Sequence, residues 1–303
     1  MNSFLETLAG KLAERWLTLL VLPGALYLVI ATVAVRLGHA HWYRLDLVRD
    51  DLVRIADDPA ARSAVTLALA VAALLAATAV LGILAQAFGT MFGRAWFASA
   101  RNPLTRALTR RRARRWDKAD RRFREAVVAA GKAQLSGDST ATTELVRQAE
   151  ERAAVRKAVG LVRPTRPFAA GDRMAAADRR VLDRYGLDLS STWPRLWLVV
   201  PDHTRSALRA AHDAVSSAQR LAGWASAYLL LAVLWWPAAV FGGGALVVAW
   251  RRAISGTNTL ADLVEAAVDV HGRTLARTLG LRAVGPLDRD VGAAVTALLR
   301  KGS

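Results

Sequence analysis

The chain of 303 residues contains no cysteine. A disulfide framework, a thiolate metal site and a cysteine nucleophile are therefore excluded. Acidic residues are scarce: 25 Asp and Glu stand against 42 Lys and Arg, a formal net charge of +17. Histidine occurs only five times, in three separate regions. The chain also lacks a Walker A loop, a GxSxG elbow, an HExxH pair and a dinucleotide-binding glycine fingerprint. Asp172, Asp178, Asp183 and Asp188 recur along one segment, but each has an arginine close by, the pattern of a solvated charged helix. These absences point away from an enzyme. No catalytic, cofactor-binding or metal-ligating residue is assigned.

Charge is missing altogether from three long runs, residues 16–35, 63–93 and 221–250. Mean hydropathy is +0.22 with 53% hydrophobic residues, yet 22% of residues are charged. A soluble globule mixes these classes at short range, whereas here they fall into separate blocks, as a multi-pass membrane protein requires. A pI near 11.4 would ordinarily suggest nucleic acid. Beside membrane spans, an excess of Lys and Arg on the cytoplasmic side is the commoner cause, so anionic lipid is the expected partner and nucleic acid is disfavoured. Arginine greatly outnumbers lysine, which reads as the coding bias of a GC-rich genome and tempers the reading of single arginines.

The chain is organised around residues 101–124, RNPLTRALTRRRARRWDKADRRFR, with ten arginines and one lysine against Asp117 and Asp120. Within it Arg110, Arg111, Arg112, Arg114, Arg115, Lys118, Arg121 and Arg122 are the candidate lipid-binding residues. Leu104, Leu108, Trp116, Ala119, Phe123 and Val127 fall in one broad helical stripe that Arg112 interrupts. Such a helix suits an anionic membrane surface, or packs its stripe on the rest of its domain.

Around this stretch the reading is an all-α integral membrane protein. Residues 1–15 form an amphipathic helix, 16–35 a first span behind Trp16, 36–62 a polar external loop of zero net charge, and 63–93 a second span. In the second span Gln86 is the single strongly polar side chain, and Gly89 and Gly93 make the close-packing GxxxG pattern. Residues 94–216 form a basic helical cytoplasmic domain. It contains a helical hairpin turning at 134–143, a break at RPTRP (163–167), and a charged helix ending at Gly186. The apolar patch around Trp193 and Trp197 is too short to span. It is either interfacial or packed in the domain. The run 221–250 contains Trp235, Trp236 and Pro237 at its midpoint. It reads as a hairpin of spans 217–236 and 237–255, with both tryptophans as interfacial anchors and Gly242, Gly243 and Gly244 as packing or pore residues. Residues 256–303 form a helical tail, whose Leu260, Val264, Ala267, His271, Leu275 and Leu279 approximate a heptad seam for self-association.

The charge asymmetry orients this four-span, two-plus-two chain. Residues 94–220 carry 27 basic and 13 acidic side chains, so this region and both termini belong on the cytoplasmic side of the cell membrane. The stretch YGLDLSSTWPRLWLVVPD, together with the Trp235-Trp236-Pro237 turn, resembles a group of actinobacterial multi-pass membrane proteins over roughly Pro164 to His271. The resemblance brings no activity and lends no site. In architecture alone the span order also resembles bestrophin-type anion channels, although none of that family's pore sequence is present. The functional expectation is a non-enzymatic membrane platform whose basic domain engages anionic lipid, a cytoplasmic protein partner, or both. The alternative is an oligomeric channel or pore-forming effector assembled from copies of this chain.

Overall fold

A computed structural model describes residues 22–57, 63–137, 139–283 and 285–300. The expected helix over 1–15, Trp16 and the start of the first span lie outside the described residues. Of the described chain, 83% is helical and none is strand. Its ten helices are α1 (Leu22–Leu37), α2 (Leu45–Asp57), α3 (Ala64–Trp96), α4 (Pro103–Leu135), α5 (Ser139–Val159), α6 (Ala169–Tyr185), α7 (Leu189–Val199), α8 (Asp202–Leu231), α9 (Pro237–Thr278) and α10 (Arg289–Leu299). They form two compact units. The first joins the described residues up to Gly93 to Ser216–Arg251, and the second joins Arg94–Val215 to the described residues from Arg252.

In the first unit, α3 is the one described helix long and apolar enough to cross a membrane. Only 11% of its most apolar 18-residue window is buried within the chain. Leu67, Leu74, Ile83, Leu84 and Phe88 are exposed along it. Small residues let its neighbours approach. A Cβ on Gly223 of α8 would lie 1.9 Å from the Ala85 carbonyl oxygen of α3, and one on Gly24 of α1 would lie 2.9 Å from the Thr78 carbonyl oxygen. Tyr27 closes the other side, stacking edge-on with Tyr228 at 5.3 Å and donating its hydroxyl to the Ala227 carbonyl at 3.3 Å.

The chain turns at residues 232–236 and α9 starts at Pro237. Proline suits that first position, where an N–H would have no helical partner. The turn divides the uncharged run into Leu221–Leu231 and Pro237–Trp250, about 16 Å and 21 Å of helix. Each is short of the ~20 residues that a span needs. That is why α8 and α9 do not qualify by themselves and four full spans are not shown.

The second unit is built on a long hairpin, α4 and α5, and on a core formed by α6, α7, α10 and the later part of α9. Gly186 ends α6 in the left-handed region at φ 66°, where glycine carries no Cβ penalty. Asp188 then caps α7 by accepting from the Ser190 N–H at 3.0 Å, and Asp288 caps α10 through Val291 at 2.8 Å. Val181, Leu187, Leu196, Val200, Val268 and Val295 fill the core between them. From α6, Arg180 Nε donates to Glu265 of α9 at 2.9 Å and Arg173 Nη1 at 3.0 Å. Burial pushes the Glu265 carboxyl up, but the hydrogen bonds from Arg180 and Arg173 outweigh it and hold the group below its ordinary value.

Several boundaries differ from the sequence reading. The loop 36–62 holds α2, because LDLVRDDLVRIAD repeats apolar residues at helical spacing although its balanced charge reads as loop. The hairpin turn is shorter than 134–143, since α5 already begins at Ser139. No break separates 237–255 from the tail, because α9 runs unbroken to Thr278. The patch Trp193–Val200 is a helix, and its Leu196 and Val200 are buried in the core. The heptad seam is likewise occupied: Val264, Ala267 and Leu275 are 5%, 2% and 2% exposed. The part of the seam from Ala267 to Leu279 packs within the chain's own core, whereas Leu260 and Val264 line a cleft.

Two tests follow from this packing. Gly223→Ala forces α3 and α8 apart and lowers the melting temperature in mild detergent by about 5 °C or more. Gly243→Ala, where no atom lies within 4 Å of the added Cβ, is neutral or stabilises by up to about 1 kcal/mol. Glu265→Gln costs on the order of 2 kcal/mol at neutral pH. The folded-state value of Glu265 is depressed, so its contribution is full above the unfolded carboxylate value of about 4.3 and is lost as pH falls through the lower folded value. Denaturation midpoints of the two proteins therefore converge as pH is lowered below about 4.

Candidate functional site

Helix α4 starts at Pro103 with Asn102 as its cap; the Asn102 N–H donates to the Thr105 hydroxyl oxygen at 3.0 Å. At 100° per residue, Arg110, Arg111, Arg114, Arg115, Lys118, Arg121 and Arg122 share an arc of about 140°. All seven are exposed. None makes an ion pair with a described residue, and the groove bounded by Ala107, Arg110, Arg111, Arg114, Arg115 and Lys118 has a volume of about 490 Å³ without a carboxylate in its lining. Glu125 follows at the C-terminal end of this face.

The acids of the stretch are engaged across the hairpin, Asp117 at the edge of the basic face and Asp120 beneath it. Asp117 accepts from Arg163 Nε at 2.9 Å and Nη2 at 3.1 Å, and that bidentate hydrogen bond holds its carboxyl below the ordinary range. Asp120, 6% exposed, pairs with Arg156 at 3.1 Å and Arg124 at 2.7 Å. The Arg156 guanidinium lies 4.4 Å above the Phe123 ring. Trp116 donates its indole N–H to the Gly160 carbonyl at 2.9 Å. The middle of the expected apolar stripe is therefore packed beneath α5 and the segment after it, whereas Leu104 is 72% exposed.

Arg112 does not belong to the basic face. It points inward, donating to the Arg166 carbonyl at 2.9 Å and the Val159 carbonyl at 3.1 Å, with Asp172 Oδ2 3.7 Å away. Burial lowers its pKa, partly offset by Asp172. Asp172, 4% exposed, also accepts from the backbone N–H groups of Thr165 at 2.8 Å and Arg166 at 3.2 Å. What looked like a fault in the stripe is a half-buried charge tied to α6.

The packing residues divide as well. Gly89 and Gly93 both meet Gln219 of α8: an added Cβ would lie 2.7 Å from its carbonyl oxygen and 2.7 Å from its amide nitrogen, respectively. Gly242 lies as close to Ala225 and Leu229, while Gly243 and Gly244 face open space. Gln86 is exposed on α3. Sequence reasoning missed Gly223 and Gly24, single glycines outside any GxxxG pattern, and Gln219, which sits four residues before Gly223 on the same face. Among the anchors, Trp235 packs with Ala34 and Leu231, and exposed Trp236 meets Trp42 edge-on at 5.1 Å. The Trp236 N–H donates to His39 Nδ1 at 3.2 Å. Trp193 and Trp197 lie in the second unit, with ring centroids 6.1 Å apart. Among the described residues no group of three or more His, Asp and Glu is placed to hold a metal ion.

Removing the half-buried guanidinium by Arg112→Met leaves Asp172 short of a countercharge and destabilises the protein by about 3 kcal/mol. Arg114→Met, on the open face, changes stability by no more than about 0.5 kcal/mol. Chemical denaturation of the two variants in mild detergent measures the difference.

Compared with protein-family models, curated proteins and solved structures, the chain has no significant match.

Proposed function

We propose that this chain is a non-enzymatic platform of the cell membrane whose cytoplasmic second unit engages anionic lipid headgroups through the open face of α4. The observation that carries the reading is the separation of charge on that helix. Seven exposed cations share one face without an ion pair to a described residue, while Asp117 at its edge is tied to Arg163, and Asp120 and the inward Arg112 are held beneath α5 and the segment after it. A face of this kind attracts a surface of like-charged headgroups at about 1 kcal/mol per basic residue.

The anchor is read as two pairs of spans, α1 with α3 and the facing parts of α8 and α9, the latter two drawing on flanking residues from Ser217 and to Ser255. The exposed apolar length of α3 supports this. So do the aromatic residues Trp42, Tyr43 and Trp236, grouped at the turns that follow α1 and α8, as expected at an interface. Both termini are placed in the cytoplasm with the basic unit, by the excess of Lys and Arg close to the spans. A protein partner on the same unit is compatible with the reading. The oligomeric channel keeps one support, the exposed amide of Gln86, but the seam expected to assemble it is occupied from Ala267 to Leu279 by the chain's own core.

The test uses the full chain in phosphatidylcholine nanodiscs, mixed with vesicles that contain phosphatidylserine. Wild type co-floats with the vesicles. A variant carrying Arg110→Gln, Arg111→Gln, Arg114→Gln, Arg115→Gln and Lys118→Gln binds at least about 100-fold more weakly. Equal binding by the two proteins would sink the lipid reading, and displacement of wild type by stoichiometric duplex DNA would move the assignment to nucleic acid.

A further inference from the structure

A second surface of the second unit has different chemistry. Helices α6, α7, α8 and α9 enclose a cleft of about 760 Å³, within the size range of small-molecule sites. Leu189, Trp193 and Trp197 of α7, Leu208 of α8, and Leu260 and Val264 of α9 make its walls. The two indole rings are tilted by 48° with centroids 6.1 Å apart, so their faces diverge and do not close on each other. Four charged side chains edge it: Arg166, Asp178, Arg209 and Asp213, with His212 beside the α8 pair.

These charges are two of each sign and are poorly matched within the protein. The Arg166 side chain gives one hydrogen bond to a described residue, from Nη1 to the Phe97 carbonyl at 2.9 Å. The side chains of Asp178, Arg209 and Asp213 make no hydrogen bond or ion pair with a described residue. The Arg209 guanidinium lies 5.6 Å over the Trp197 ring, held at the mouth by the π face alone. Burial and the neighbouring Asp188 carboxylate push the Asp178 carboxyl up, against Arg166 and Arg179, so a cation brought to it would be favoured. A purely anionic head would meet Asp213 and also Asp178, whose charge Arg166 and Arg179 offset only in part. A purely cationic head would meet Arg166 and Arg209. Only a head carrying both charges satisfies both pairs, and the apolar walls call for a hydrocarbon body.

We propose that this cleft binds a single-chain amphiphile with a zwitterionic headgroup of the phosphocholine or phosphoethanolamine class. The tail lies between the tryptophans and the α9 side chains Leu260 and Val264. The phosphate faces Arg166 and Arg209, and the ammonium faces Asp178 and Asp213. The proposal does not depend on the reading of the α4 face, which lies on other residues.

The experiment holds the tail constant and varies the head. The full chain, labelled with 5-fluorotryptophan and held in nanodiscs, is titrated with hexylphosphocholine, hexyl sulfate, hexyltrimethylammonium and hexanol. Fluorine resonances are assigned with Trp193→Phe and Trp197→Phe. The phosphocholine shifts the Trp193 and Trp197 resonances saturably, leaves Trp42 and Trp236 unmoved, and binds at least tenfold more tightly than the other three probes. Asp178→Asn and Arg209→Gln, both at exposed positions, each weaken it by about tenfold, as expected for a lost hydrogen bond to a charged group. Equal response to hexanol would show that the cleft does not read a head, and preference for the sulfate or the ammonium would show that the head was assigned wrongly. No shift of either resonance with hexylphosphocholine overturns the proposal.

Discussion

The second unit depends on how one half-buried guanidinium is satisfied. Arg112 sits in the apolar side of α4, where an isolated charge would cost several kcal/mol. Two backbone carbonyls and the Asp172 carboxylate surround it. The same carboxylate accepts from the Thr165 and Arg166 N–H groups, so one ion pair fixes α4, the end of α5 and the start of α6. The planar five-donor fork of arginine suits this role, since separate nitrogens meet the Arg166 and Val159 carbonyls, whereas a lysine would have to serve every acceptor from one point. Once this knot holds α4 by its inner side, the outer side is left as an uninterrupted basic face.

That consequence explains why a helix of such charge can fold without neutralising itself. Its two aspartates are matched to Arg156 and Arg163 across the hairpin, contacts that hold α5 and the segment after it against α4. The carboxylates thus stabilise packing, and of the seven outer cations only those near Arg121 have a carboxylate close by, Asp117 and Glu125. Repulsion along the open face is tolerated because the side chains are long and solvated, and exposed like charges interact weakly at physiological salt.

How much of this was legible in the sequence varied with the range of the interaction. Local signals were readable: Gly186 as a helix stop, the prolines at 164 and 167 as a break, the turn at Trp235-Trp236-Pro237. The all-α class followed from the same periodicities. What sequence could not supply was direction. Arg112 looked like a flaw in an apolar stripe because its partners, Val159, Arg166 and Asp172, are 47 to 60 positions away. The patch around Trp193 and Trp197 suited a membrane interface and a protein core equally, since both reward an aromatic ring with an apolar body. The seam from Leu260 to Leu279 had a coiled-coil period for an ordinary reason: one helix face is covered by α6, α7 and α10. Gly223 gave no signal at all, because the need for a missing side chain there comes from Ala85, far away in the chain.

The two surfaces of the second unit ask for different partners, and the difference lies in how charge is arranged. On α4 the cations are of one sign, close together and open, which favours a surface over a single small ligand: an extended anionic field engages many side chains, each weakly, and is screened by salt. In the cleft charges of both signs stand at the exposed rim of apolar walls, which favours one small molecule over an extended surface: few contacts, with the hydrocarbon body between the walls. A sheet of anionic headgroups would be repelled by Asp178 and Asp213 at the cleft, and a neutral-headed amphiphile gains nothing from the seven cations on α4. Neither surface therefore substitutes for the other, and occupancy of one need not compete with the other for the same lipid.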